Sequence, residues 1–435
     1  MRTPARLDGL ILLLLGAALF LLTGAELAVI GRPRMADFDT AYYSAKCALL
    51  HLDPYSPDDV LRARQLTGAS AFQSAYYQGV LTRNVYPPSE IVLVSPLAWL
   101  PFGTARVLWF ALIAGGFILA ALAVFNSSTA PRLDGVLLAL MLLGSGSLMF
   151  YANPAGIEVA LATLAVVSII RQRYAWAGVL ALAAALALKP HDSGFLWLCL
   201  LLAGGIYRRR AWQALAVAVA LSIPAMAWLS VLAPHWPAEL AQNLHYFSTD
   251  GQSNTPYGLH GACFITSLQV IFAFLRNSPG FYNIATWLIS APLLLAWAWA
   301  TVGAARSEQR LWLSVAAIAA LSMVPIYHRQ YDAKLIILTV PACALLWKSG
   351  STLGRWALWV TVAVFLLSND LMWAAIFVLV GALHLKISGP HGSALLAALT
   401  FPVPLSLLAL GVFYLWALFR FHPEAEPVSN QNSTP

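Results

Sequence analysis

Two carboxylates, Asp37 and Asp39, follow directly on a long apolar stretch, in the run Met35-Ala36-Asp37-Phe38-Asp39-Thr40-Ala41-Tyr42-Tyr43. Partial desolvation at a membrane surface raises a carboxylate's pKa and makes it a better proton acceptor. Asp37 therefore reads as a general base for a hydroxyl, with Asp39 and Tyr43 beside it as substrate contacts. The same polar segment ends on Asn84-Val85-Tyr86-Pro87-Pro88, where two prolines stiffen the chain and Tyr86 can line a groove. Cations stand at two later helix junctions, Lys189-Pro190-His191-Asp192 and Tyr327-His328-Arg329-Gln330-Tyr331-Asp332. Charge developing on a phosphate leaving group needs fixed cationic or hydrogen-bonding partners. Lys189, His328 and Arg329 are candidates for that task, and His191 for substrate contact.

Each of these residues also has a plainer reading. Asp39 or Thr40 can cap a helix over 41–50 by accepting backbone amide protons. Asp37-x-Asp39 has the spelling of a divalent-cation site, but no glycine-rich phosphate loop accompanies it, so neither metal nor cofactor is expected. Lys189 can snorkel to the interface as an anchor, and Arg329 can pair with Asp332. Asp53-Pro54-Tyr55 reads as a turn, with Asp58 and Asp59 opening the next short helix. Trp236, Asn243, His245, Tyr246 and Tyr257 suit either a carbohydrate or an interfacial aromatic belt.

The elements that must position these groups cross a membrane. Hydrophobic residues fill 60% of the 435 positions and charged residues 10%, against about 25% charged in soluble domains. Apolar runs near 7–30, 105–125, 133–151, 157–170, 174–188, 193–206, 212–232, 284–302, 311–326, 335–347, 356–380 and 395–418 predict about twelve transmembrane helices in an all-α polytopic membrane protein. The segment 263–274 is too short for a comfortable span, and Ser368-Asn369-Asp370 can split one span into two. The net charge of +7 speaks of topology rather than of nucleic acid, for which nothing is expected. Arginines and lysines at 132, 171–173, 208–210, 306–310, 348–355 and 420 mark a cytoplasmic face. The loops 31–103, 152–156, 189–192, 233–282 and 327–334 then share the non-cytoplasmic one. Residues 1–423 form one membrane-embedded domain, with short interfacial helices in the long first loop 31–103 and a second loop at 233–282. Residues 424–435 are a disordered tail. The first apolar segment lacks a persuasive cleavage site and is expected to stay as a helix. The cysteines show no metal spacing, and only Cys47 and Cys263 share a face where a disulfide is possible.

The order of Asp37-Phe38…Tyr42-Tyr43-Ser44-Ala45, Asp53-Pro54-Tyr55, Tyr86-Pro87-Pro88, Leu188-Lys189-Pro190 and His328 resembles glycosyltransferase family 87, a branch of the GT-C membrane glycosyltransferases. The likeness spans almost the whole chain. It departs from the family pattern at Asn153-Pro154-Ala155-Gly156-Ile157-Glu158, where a Gly-Gln pair near an asparagine is expected. The resemblance implies a polyprenyl-phosphate-mannose-dependent α-mannosyltransferase of the cell (plasma or inner) membrane, with its site on the non-cytoplasmic face. A single hexose, mannose by expectation, passes from a polyprenyl-phosphate-linked sugar to a lipid or glycan acceptor, inverting and without a metal. Asp37 is then the base, while Lys189 and His328 face the donor phosphate. A transporter or flippase for a lipid-linked sugar is the competing class and calls for charged residues along a route through the spans. A ligase or polymerase moving intact glycans is a third.

Overall fold

The computed structural model describes residues 4–30, 35–72, 74–127, 129–249, 252–383 and 389–420; the tail 424–435 lies outside them. The protein is an all-α polytopic membrane protein. Among the described residues there is no strand, only an isolated antiparallel bridge between Ile265 and Arg329. Among the described residues, six helices are long and apolar enough to cross a membrane: Pro4–Val29, Phe102–Asn126, Pro131–Tyr151, Gly205–Leu232, Pro279–Thr301 and Pro402–Arg420. Thr352–Leu367 and Asp370–Ala382 meet at 49° and add a seventh if they form one bent span.

Several other runs among the twelve form shorter helices, including Ala155–Ile170, Ala175–Leu188, Pro190–Ala203 and Glu308–Leu321. A helix of 16 residues, such as Ala155–Ile170, reaches only about 24 Å at 1.5 Å per residue, short of the roughly 30 Å hydrocarbon core. Apolar composition alone cannot separate such a helix from a span. Glu308–Leu321 illustrates the difference, being buried without interruption from Leu311 to Leu321. Its neighbours are other helices on every side.

The first helix lies along Pro131–Leu143 because glycines remove the side chains that would hold the two apart. A Cβ on Gly135 would stand 2.3 Å from the Gly9 carbonyl oxygen, and one on Gly16 2.5 Å from the Ala139 Cα. Further on, a Cβ on Gly24 would meet the Met149 Cε at 1.7 Å. Lipid tails are as apolar as leucine, so helices in hydrocarbon associate through such close packing. The contact matters to the site because Pro131–Tyr151 runs directly into Ala152 and Asn153.

The first loop folds as the helices Ala36–Leu49, Pro57–Leu66, Ala75–Leu81 and Pro88–Ala98. Ser56, rather than either aspartate that follows it, caps the second of these by accepting from the Asp59 amide. The segment 263–274 does not span. Its amides at Thr266 and Leu268 donate to the carbonyls of His328 and Val324, at 2.9 and 3.1 Å. Asn369 does break its helix, its Oδ1 accepting from the Leu371 and Met372 amides. The adjoining Asp370 accepts from buried Lys334 at 2.9 Å and from the Ser147 amide at 2.7 Å. All four cysteines are free thiols.

Gly135→Val should lower the melting temperature of the detergent-solubilised protein, since overpacking costs about 1–3 kcal/mol. Gly115→Val, with nothing within 4 Å of the added Cβ, should melt like the parent. Equal melting of the two variants would remove the glycine contact as the cause of the first helix's placement.

Candidate functional site

Asp37 is set by two neighbours. Met35, just before the helix Ala36–Leu49, has a left-handed backbone at φ 51°, a conformation costing a non-glycine residue about 1–2 kcal/mol. It turns the chain so that Asp37 and Asp39 enter the first helical turn, where the helix dipole favours negative charge. Phe38, fully buried, stacks on Trp109 with ring centroids 5.1 Å apart. The Trp109 indole N–H donates to the Ala152 carbonyl at 2.8 Å. Ala152 is itself left-handed, at φ 52°, and the next residue is Asn153.

The Asn153 side chain ties the site together. Its Oδ1 accepts from the Ala155 amide at 2.9 Å, which fixes which way the side-chain amide faces. Its Nδ2 then points at the Asp37 Oδ2 (2.7 Å), the Tyr86 hydroxyl (2.8 Å) and the Tyr331 hydroxyl (3.0 Å). Burial pushes the Asp37 carboxyl above the usual carboxylate range; Arg329, the Asn153 amide and Lys189 pull it back. A carboxylate whose pKa is raised in this way is a stronger proton acceptor than one in water.

Tyr86 is held from behind. The Tyr55 hydroxyl donates to the Tyr86 carbonyl at 2.7 Å, and Asn243 donates to the carbonyls of Tyr55 and Asn84 at 2.9 and 3.0 Å. Asp53-Pro54-Tyr55 therefore works as a brace, with the Asp53 Oδ1 accepting from the Tyr55 amide at 2.9 Å. Ser89 links the Tyr-Pro-Pro turn to the carbonyl of Ala187, two residues before Lys189.

Lys189 is caught between two helices and is nearly fully buried. It pairs with Asp332 and, at 3.0 Å, with Asp192. Its amine lies 5.3 Å from the centre of the Tyr331 ring, so one aromatic side chain joins the lysine to the Asp37 clamp. Arg329 donates to the Tyr327 hydroxyl at 2.6 Å and to the Ser253 carbonyl at 2.7 Å. Only its backbone amide meets Asp332, at 2.8 Å, so the anchoring Arg329–Asp332 pair is replaced by Lys189–Asp332. The Ile265 bridge and the bond from the Gln330 amide to the Phe264 carbonyl hold this loop in place.

Asp37, Tyr86, Lys189, His191 and Arg329 all line one cavity of about 940 Å³, large enough for a sugar phosphate and part of its acceptor. Its walls are drawn from residues 36–40, 76–87, 150–153, 189–191, 240–254 and 327–331. All of these but Phe150 and Tyr151, the end of a predicted span, belong to the loops assigned to one face.

Three expected site residues are engaged elsewhere. Asp39 forms a buried ion pair with Arg64, and burial still raises its carboxyl to about 6. With Asp37 facing Asn153 and Asp39 facing Arg64, the two carboxylates do not converge on one ion. Asp39 also does not cap a helix at 41, because the helix already begins at Ala36. Tyr43 is buried, with the Arg64 guanidinium 4.2 Å from its ring centre. His328 is fully buried behind the cavity wall, 3.2 Å from Asp192. No local pattern in the sequence marks Tyr331, or Glu158, a fully buried carboxylate near Lys189 within Ala155–Ile170, as a site residue.

The profile of glycosyltransferase family 87 matches residues 84–325, more than half of the chain. The chain belongs to glycosyltransferase family 87. No curated protein and no solved structure matches it. Tyr86, Asn153 and Lys189 fall inside the matched stretch; Asp37 and Arg329 lie on either side of it, and the cavity reunites them. Membership makes the protein a glycosyltransferase in place of a transporter.

Asn153→Leu should move the acidic limb of the transferase kcat/KM profile to higher pH. Its amide stabilises the charged form of Asp37, so its loss raises the pKa further and a larger share of enzyme is protonated at any given pH. An unmoved limb would show that Asp37 does not set it.

Proposed function

We propose that this glycosyltransferase moves a single hexose, with mannose the favoured sugar, from a polyprenyl-phosphate carrier to a lipid or glycan acceptor on the non-cytoplasmic face of the cell membrane. The observation that carries this reading is one cavity lined by the Asp37 carboxylate together with the cations Lys189 and Arg329, with a further arginine, Arg83, also on its surface. A base and a phosphate clamp are the two needs of a displacement at an anomeric carbon whose leaving group is a lipid phosphate.

In the reaction, Asp37 takes the proton of the acceptor hydroxyl as its oxygen bonds to the anomeric carbon and the bond from that carbon to the phosphate oxygen breaks. One displacement inverts the anomeric centre. The phosphate departs with the bonding electron pair, and the ammonium of Lys189 and the guanidinium of Arg329 meet its charge. Cation-to-phosphate hydrogen bonds are roughly twice as strong as neutral ones. Holding both substrates in one chamber also removes most of the entropic cost of a bimolecular encounter.

The donor class follows from the setting. A nucleotide sugar made in the cytoplasm is charged and cannot cross unaided, whereas a flipped lipid carrier brings its sugar to that face. Apolar cavity walls such as Val80, Leu240 and Leu244 suit a prenyl chain. Tyr76, Tyr77 and Tyr151 suit sugar rings. His328 acts from behind the wall through Asp192, not by touching the donor.

With purified protein and a synthetic polyprenyl-phosphate sugar, Asp37→Asn should insert normally and lose transfer by about 100-fold or more, the range of general base catalysis. Arg329→Lys should raise the donor KM about tenfold while the acceptor KM changes little, as expected when a charge-assisted contact worth about 1.5–3 kcal/mol is weakened. Undiminished turnover by Asp37→Asn would remove that residue from the chemistry.

A further inference from the structure

Beside Lys189, three potential metal ligands converge, two from the first turn of the helix Pro190–Ala203 and one from the loop after Glu308–Leu321. His191, Asp192 and His328 each offer one ligand atom, and the three atoms lie within 4.8 Å of one another. The Asp192 Oδ1 is 3.3 Å from the His191 Nε2 and 3.2 Å from the His328 Nε2. Donor atoms about 2.0–2.1 Å from a tetrahedral ion stand roughly 3.3 Å apart along each edge, so two of the three edges have that length. Rotation of the half-exposed His191 side chain closes the third.

The Asp192 Oδ1 and the His328 Nε2 are both buried, and each has the other within 3.2 Å. The other nitrogen of His328, Nδ1, is 3.2 Å from the Ile326 carbonyl, an acceptor that only an N–H can satisfy. With the ring proton on Nδ1, Nε2 turns a lone pair toward a carboxylate oxygen, and either a second proton or a metal ion must lie between them. A backbone carbonyl on the far ring nitrogen is also the usual way a ligating histidine is oriented.

Two carboxylates, Asp192 and Asp332, share the single amine of Lys189, which meets Asp192 at its other oxygen, Oδ2. Oδ1 is left for an ion. His191 lines the cavity, which gives an entry path and an open coordination position. We propose that His191, Asp192 and His328 bind a divalent transition-metal ion of the zinc class. Two imidazoles and one carboxylate suit zinc better than magnesium or calcium, which prefer all-oxygen shells. The site does not depend on the role given to Asp37.

The test uses the full-length protein in detergent. After chelator treatment it is titrated with Zn²⁺, bound metal is counted by mass spectrometry, and Co²⁺ is used as a spectroscopic probe. The parent should bind about one ion per chain, with the intense visible Co²⁺ absorption of a tetrahedral site. His191→Ala, at an exposed position where folding is safe, should weaken binding at least tenfold. His51→Ala, at a histidine outside the cluster, should bind like the parent. Failure of the parent to bind more tightly than His191→Ala, or equal losses in both variants, would overturn the site and leave a doubly protonated His328 as the cation facing Asp192.

Discussion

Burial disfavours the charged form of a carboxylate and fixed donors favour it, and in this protein the side-chain amide of Asn153 is the hydrogen-bond donor that Asp37 meets. An unmet buried charge is costly enough that the group would otherwise neutralise. The amide faces Asp37 because its oxygen is occupied by the Ala155 backbone. The turn beneath it is held by Trp109, and Trp109 in turn stacks on the residue after Asp37. Base and donor are thus fixed by one closed circuit of contacts. Loosening any member moves both.

The rest of the architecture extends that circuit. Glycine contacts lay the first helix along the one that leads to Asn153, and the brace from Tyr55 and Asn243 sets Tyr86. Tyr331 reaches from the Asn153 amide to Lys189. Lys189 is itself locked by Asp192 and Asp332, so the cationic side of the cavity rests on carboxylates from two different helix junctions. Such a network leaves Lys189, Arg329 and Asp37 together at the cavity surface, with Arg83 a further cation on it. The alternation of positive and negative groups gives a phosphate a place without leaving any cation stranded when the cavity is vacant of substrate.

Much of this was legible in the sequence and some was not. Composition and run length declared the membrane class, and the loops assigned to one face do meet around one cavity. Asp37, Lys189 and Arg329 stood out because charge beside a long apolar run is rare. Helix lengths were less legible, since a buried helix of 14 or 16 residues and a lipid-facing span share the same apolar composition. Asn153 was noticed only as part of a departure from the family pattern, because nothing local in Asn-Pro-Ala-Gly reveals which way an amide points. Asp39 and Tyr43 looked like Asp37's partners from their spacing. Arg64, one short helix later, claims both, and a tertiary ion pair of that kind leaves no periodic trace. His328 gave the right loop but not its depth behind the wall.

The most direct measurement is a structure of the protein with a non-hydrolysable polyprenyl-phosphate sugar bound. The account predicts phosphate oxygens in contact with Lys189 and Arg329, and the anomeric carbon between that phosphate and Asp37, with Asp37 still held by Asn153. A phosphate seated away from both cations, or a sugar whose anomeric carbon faces a wall other than the one carrying Asp37, would contradict it.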